Sequence, residues 1–153
     1  MEAKELDVFI QGVIAYFKEV LGEDPEIGTP YLQNTQDKSH LYDYTGIIGL
    51  SGSYRGAIYI TCEQGILLDI VERFLGIKNP EAQHLRDMAG ELANTIAGNV
   101  SRVFGNAFHI SVPIIMNGTP NYLALPIEIP AYVIPISVRG KKAALVVGMR
   151  KNE

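Results

Sequence analysis

From Asn79 to Phe104 the chain reads as one long helix, and nothing else in the sequence restricts the fold as strongly. Asn79 followed by Pro80 is a helix-start pair, an N-cap and a proline at the first helical position. Beyond it Leu85, Met88, Leu92, Ile96, Val100 and Val103 recur at helical spacing and make one apolar stripe, the expected core face. Such a stripe must be covered by a second layer, and the fold class follows from what the flanking segments can supply.

Upstream, Leu6, Phe9, Ile10, Val13, Ile14, Phe17, Val20 and Leu21 predict an amphipathic helix that ends at Gly22. Residues 23–40 read as a polar loop with one short strand near Tyr31. "YTGIIGLSGSYRGAIYITCE" reads as two strands joined by a Ser-Gly-Ser turn, a hairpin. "QGILLDIVERFLGI" returns to helical period through Ile66, Leu67, Ile70, Val71 and Phe74. The remainder is β in character: Ala107 to Pro113, Tyr122 to Ile129, and a terminal hairpin, "YVIPISV" and "AALVVGM" about "RGKK". Pro126, Pro130 and Pro135 belong at edges or bulges of a sheet rather than in a central strand. The expected fold is α+β: one domain over residues 1–153, with long helices packed on one face of a mainly antiparallel sheet.

Composition narrows the chemistry. With 47% hydrophobic and 20% charged residues the chain is ordinary for a globular protein. A net charge of -4 argues against nucleic acid, whose phosphates call for a basic face. The acidic opening "MEAKELDVF" is unlike a secretory signal, and no run reaches the length of a membrane span. A cytoplasmic protein with no membrane association is expected. Cys62 stands alone and reads as a small core residue, with no cysteine–histidine cluster to hold a metal. His40, His84 and His109 are scattered, and neither a GxxxxGK nor a GxGxxG loop is present.

Opposite the apolar stripe of the long helix lie Asp87, Glu91, Asn94, Gly98 and Ser101, with Gly90 and Ala97 at the border. Two glycines inside a helix cost roughly 1 kcal/mol each relative to alanine, which points to something approaching closely there. On pattern alone a solvated helix face is the more ordinary reading, and both remain open at this point. Asn99 falls on the core side of the wheel, where a buried amide has a capping or bridging role.

The order of motifs resembles the CheC/CheX/FliY family of chemotaxis phosphatases, and CheX most. That family carries Asp or Ser, three residues, Glu, two residues and Asn on a long helix, and Asp87, Glu91 and Asn94 stand at this spacing. "IAGNVSRVFG", "HISVP" and "IIGLSGSYRGAIYI" resemble the blocks that flank it, so the likeness runs from about Ile47 to Pro113. The family has a proline roughly two dozen residues past the Asn. Here 18 residues separate Asn94 from Pro113 and 25 separate it from Pro120, and the "ISVP" context favours Pro113. One Glu-x-x-Asn pair is present, as in CheX, where CheC and FliY relatives have two such helices.

The resemblance implies hydrolysis of the aspartyl phosphate on a CheY-like response-regulator receiver domain. In that chemistry the receiver supplies Mg²⁺ and a lysine, and this chain holds no cofactor or metal of its own. Asn94 would orient the attacking water by hydrogen bonding, as the glutamine of GTPases does. Glu91 would pair with the receiver's lysine. Asp87, Gly90, Ala97, Gly98 and Ser101 would form the partner-binding face, kept low by its small residues. The alternative is a non-catalytic module of the same fold that binds a receiver or another protein. CheX relatives pair subunits through their sheets, so a homodimer is expected, with the terminal β-rich segment as its edge and the three prolines blunting part of it.

Overall fold

A computed structural model describes residues 1–33, 41–105, 107–118 and 130–152. Among these, three helices and eight strands follow in the order α1 (Ala3–Leu21), β1 (Glu26–Ile27), β2 (Tyr31–Leu32), β3 (Tyr44–Gly52), β4 (Tyr54–Cys62), α2 (Gln64–Leu75), α3 (Ala82–Val103), β5 (Phe108–Ile110), β6 (Ile114–Asn117), β7 (Ala131–Val138) and β8 (Lys141–Lys151). The strands form one sheet in the order β1-β7-β8-β4-β3-β5, with β2 also paired to β7 and β6 to β3. Every pairing is antiparallel. This is the expected α+β class, an open antiparallel sheet carrying the helices.

The β3–β4 hairpin turns at Ser53 and keeps its register from Tyr44 opposite Cys62 to Leu50 opposite Gly56. The terminal hairpin also forms, with β7 and β8 paired from Ala131 opposite Gly148 to Val138 opposite Lys141. It does not supply a sheet edge, however. β8 lies between β7 and β4, and β7 is covered in turn by β1 and β2. The edges are the short strands β1 and β2 at one end and β5 and β6 at the other. Pro135 sits where its missing N–H does no harm. Its carbonyl accepts from Gly28 N at 2.9 Å, so the side of the strand that lacks a donor faces the break between β1 and β2. The expected strand Tyr122–Ile129, with Pro120 and Pro126, lies outside the described residues.

The core fills the space between the helices and the inward-facing strand residues, and includes Phe9, Phe17, Ile48, Ile58, Ile60, Ile70, Leu92 and Ile96. A smaller cluster on the opposite face of the sheet gathers Leu41, Tyr59, Val133 and Val146. Cys62 is buried in the main core, where burial pushes its thiol pKa up to about 12.

Two close approaches seat α3 and so place everything on it. A Cβ on Gly46 of β3 would stand 2.9 Å from Ala93 Cβ, and one on Gly12 of α1 would stand 3.0 Å from Val100 Cγ2. A side chain at Gly46 would force a shift and one at Gly12 would need Val100 to give by a few tenths of an ångström, so glycine lets the helix lie directly on the sheet and close against α1. Ala89, Ala93 and Ala97 form the row pressed toward β3, while Leu85, Leu92, Ile96 and Val100 complete the buried arc.

Three details differ from the sequence reading of the helices. α3 starts at Ala82 with Glu81 as N-cap, not at Asn79–Pro80. Glu81 accepts from the backbone of the first turn, and His84 Nδ1 accepts from Glu81 N at 3.0 Å, a reciprocal box that outcompetes the proline start. Val103, expected in the core, and Phe74, read as part of the apolar period of α2, are exposed, because each lies in the last turn of its helix, beyond the neighbours that cover the preceding turns. Asn99 is half-exposed, and its Oδ1 accepts from the Arg102 guanidinium one turn on rather than from a core partner.

Candidate functional site

The exposed strip of α3 runs along Asp87, Glu91 and Asn94, with Gly90 and Gly98 half-exposed beside them. Among the described residues, α1, α2 and the sheet cover the other sides of the helix along its middle turns. The side chains are held by short local contacts. Gln83 Nε2 donates to Asp87 Oδ1 at 2.7 Å, and Thr95 Oγ1 donates to Glu91 Oε1 at 3.5 Å. Among the described residues nothing hydrogen-bonds to the Asn94 amide, which leaves both its carbonyl and its NH₂ toward solvent.

A recess of about 470 Å³ lies against this strip, lined by Arg86, Asp87, Gly90, Glu91 and Asn94 from α3 and by residues 110–113 and 115 from the segment around β5 and β6. Its far wall is fixed by Ser111. The Ser111 N–H donates to Gly49 O at 3.0 Å, while Gly49 N donates to Ser111 Oγ at 2.9 Å. That clamp on β3 delivers Val112 and Pro113 to the rim opposite Glu91. Pro113 therefore borders the site despite its short sequence separation from Asn94.

The glycines of this strip are not required by packing. A Cβ on Gly90 would make ordinary contacts, 3.5 Å to Ile115 Cδ1 and 3.9 Å to Pro113 Cγ; on Gly98 it would find only Arg102 Nη1, at 3.9 Å. Gly46 is demanded by the fold and Gly12 sits in a tight contact, whereas Gly90 and Gly98 keep relief low where packing leaves room for a Cβ.

Two residues assigned to the partner-binding face do not reach it. Ala97 is 1% exposed because it belongs to the alanine row seated on β3. Ser101 is 8% exposed and donates from Oγ to Phe108 O at 3.3 Å, since the chain doubles back after Phe104 and lays β5 over the last turn of α3. The wheel alone put Ser101 beside Asn94 and could not show that return. Arg86 and Val112 were the residues the motif left out, and they line the recess together with Pro113, which the "ISVP" context favoured. Among the described residues, no three histidine, cysteine or acidic side chains come together in a way that could hold a metal ion. Nor is any helix long and apolar enough to cross a membrane.

An open antiparallel sheet carrying three helices is a fold this chain shares with solved CheC-like and CheX proteins. The chain is similar to a CheC-like superfamily protein from Shewanella sp. PV-4, with a TM-score of 0.87 and 22% identity over 98% of this chain and 99% of that one. It is similar to the chemotaxis protein CheX from Vibrio vulnificus, with a TM-score of 0.85 and 21% identity over 97% and 100% of the two chains. It is also similar to CheX from Borrelia burgdorferi, solved as a CheX–CheY–BeF₃–Mg²⁺ complex, with a TM-score of 0.74 and 20% identity over 96% and 98%. No sequence among the curated proteins matches. The model of the family described as chemotaxis phosphatase CheX matches residues 44–137, more than half of the chain, and the chain belongs to that family.

Proposed function

We propose that this chain hydrolyses the aspartyl phosphate of a CheY-like receiver domain, acting as a single domain in the cytoplasm. What carries this reading is the pair Glu91 and Asn94, exposed one turn apart on a strip of low relief, in a chain of the CheX family. Phosphoryl transfer asks little covalent help of a protein; it needs a water held in line and stabilised charge. The receiver's Mg²⁺ supplies charge neutralisation on the partner's side. Asn94 inserts beside the phosphoryl group and holds the attacking water by its carboxamide. Water oxygen bonds to phosphorus, the bond to the aspartyl oxygen breaks, and the proton lost by water leaves with inorganic phosphate. Glu91 pairs with the receiver's lysine and fixes register, an ion pair that strengthens as the interface excludes water.

The test compares dephosphorylation of a receiver labelled by a small phosphodonor, with wild type and with Asn94→Ala. Loss of roughly 10²-fold in the accelerated rate is expected, the scale of removing one positioned polar group. If Asn94→Ala keeps the full rate, or wild type leaves the lifetime of the phosphoryl group unchanged, the catalytic reading fails and a binding module is left.

A further inference from the structure

Glu91 lines a second groove as well as the recess beside Pro113. On its other side, α1, α2 and α3 enclose about 370 Å³ between Tyr16, Glu19, Met88 and Thr95, with Phe74 and Leu75 at the lip. Phe74 and Leu75 are each 54% exposed, although they adjoin the fully buried stripe of α2. On the recess side Val112 is 85% exposed, held out by the Ser111 clamp. Large apolar side chains left in water side by side mark a surface that is covered in use. Here they stand on both flanks of one carboxylate, and the carboxylates Glu19, Asp87 and Glu91 edge the same ground.

We infer that Phe74 and Leu75 on one flank and Val112 on the other are the apolar anchors that grip the receiver, with Glu91 and Asn94 between them. This rests on the proposed receiver activity and adds to it the residues that set affinity. The occupant is a receiver face, because the patch is continuous with the strip that must meet the phosphorylated aspartate. Glu19, Asp87 and Glu91, against Arg86 alone among the basic residues of the two grooves, complement a partner that carries a lysine next to that aspartate. A partner seated on both flanks centres the carboxamide on the phosphoryl group and shields the site from bulk water. In this arrangement binding is divided from chemistry: the flanks, with the Glu91 ion pair, govern KM, and Asn94 governs kcat.

The experiment measures Kd for a CheY-like receiver loaded with Mg²⁺ and beryllofluoride, together with KM and kcat for the phosphorylated form. The variants are Val112→Ala and the double variant Phe74→Ala with Leu75→Ala, with Val103→Ala, an exposed residue at the far end of α3, as control. Each flank variant is expected to raise Kd and KM about tenfold, the effect of losing one interface anchor, with kcat within about twofold and the control unchanged. Melting curves should coincide with wild type. If the flank variants bind as wild type does while Asn94→Ala still loses rate, the inference falls and the phosphatase reading stands. If wild type binds no loaded receiver, both fall.

Discussion

Gly90 separates the demands of the fold from those of function. In a helix interior, glycine is roughly 1 kcal/mol less favourable than alanine. At Gly90 a Cβ meets nothing closer than 3.5 Å, so no clash subtracts from that gain and a contact with Ile115 adds to it. Gly90→Ala should therefore stabilise the protein by about 1 kcal/mol, a rise in melting temperature of roughly 2–4 °C for a chain of this size. Gly90→Leu keeps good helix propensity and sends its side chain into the recess between Asp87, Glu91 and Pro113. It should stay folded yet slow receiver dephosphorylation by roughly 10-fold to 100-fold, the scale of a small misplacement at a reacting centre. Gly46→Ala is the counter-case, since its Cβ would lie 2.9 Å from Ala93 Cβ; overpacking there should cost about 1–3 kcal/mol. Thermal melts and dephosphorylation rates on the three variants check this. A lower melting temperature for Gly90→Ala would mean that the fold needs the glycine. A full rate for Gly90→Leu would mean that nothing approaches this face.

Ser101→Ala should lower stability by about 1 kcal/mol through the loss of its bond to Phe108 O, whereas Asn99→Ala, whose partner is an exposed guanidinium, should stay within about 0.5 kcal/mol; denaturant titration distinguishes them. Cys62 should resist a thiol reagent at pH 8 in the native protein and react once unfolded, because burial, with Asp43 and Glu63 adding, raises its pKa to about 12. A raised folded pKa means the native state holds its proton longer, so this contribution is whole below the unfolded value near 8.5 and is lost as pH rises toward 12. A denaturation midpoint that climbs between pH 9 and 11 would refute that sign. A homodimer is also expected, now through a short-strand edge, such as the β1/β2 edge where Leu32 is exposed, and not through the central β8. Sedimentation at the 16.8 kDa monomer mass alone, at about 10⁻⁵ M protein, would count against it.

The elements legible in the sequence were those with one strong period. α1 ends at Gly22 as its stripe implies, and Gly22 adopts the left-handed conformation that closes the helix. The β3–β4 hairpin follows from two apolar runs around a Ser-Gly-Ser turn. Strands β1 and β6 were not anticipated. β1 is two residues long and β6 four, too short to display alternation, and both exist because a longer neighbour offers a free ladder. The place of β8 was equally hidden. No local signal says whether a terminal strand will close an edge or insert between two others, although its run of buried residues from Ala143 to Met149 is that of a strand covered on both faces.

The site was legible as a motif and illegible as a surface. Reading α3 as one apolar stripe with a polar back assigns about half the helix to solvent, but α3 is covered by α1, by α2 and by the sheet at once. Each layer uses a different kind of residue. Val100 packs against Gly12 of α1, while Ala89 and Ala93 lie against Gly46 of β3, where the sheet approaches closely, and Ala97 is buried among them. Alanine scores weakly as apolar, so that second buried arc looked like low relief on the outer face, and Ala97 was assigned accordingly. Ser101 was lost to the same cause, with β5 as the cover. What remains exposed along the middle of the helix is narrow, Asp87, Glu91 and Asn94 with Gly90 and Gly98 alongside. The two glycines outside the buried arcs are the ones packing does not require. A helix covered on three sides thus leaves one exposed strip along its middle, and Glu91 and Asn94 occupy it.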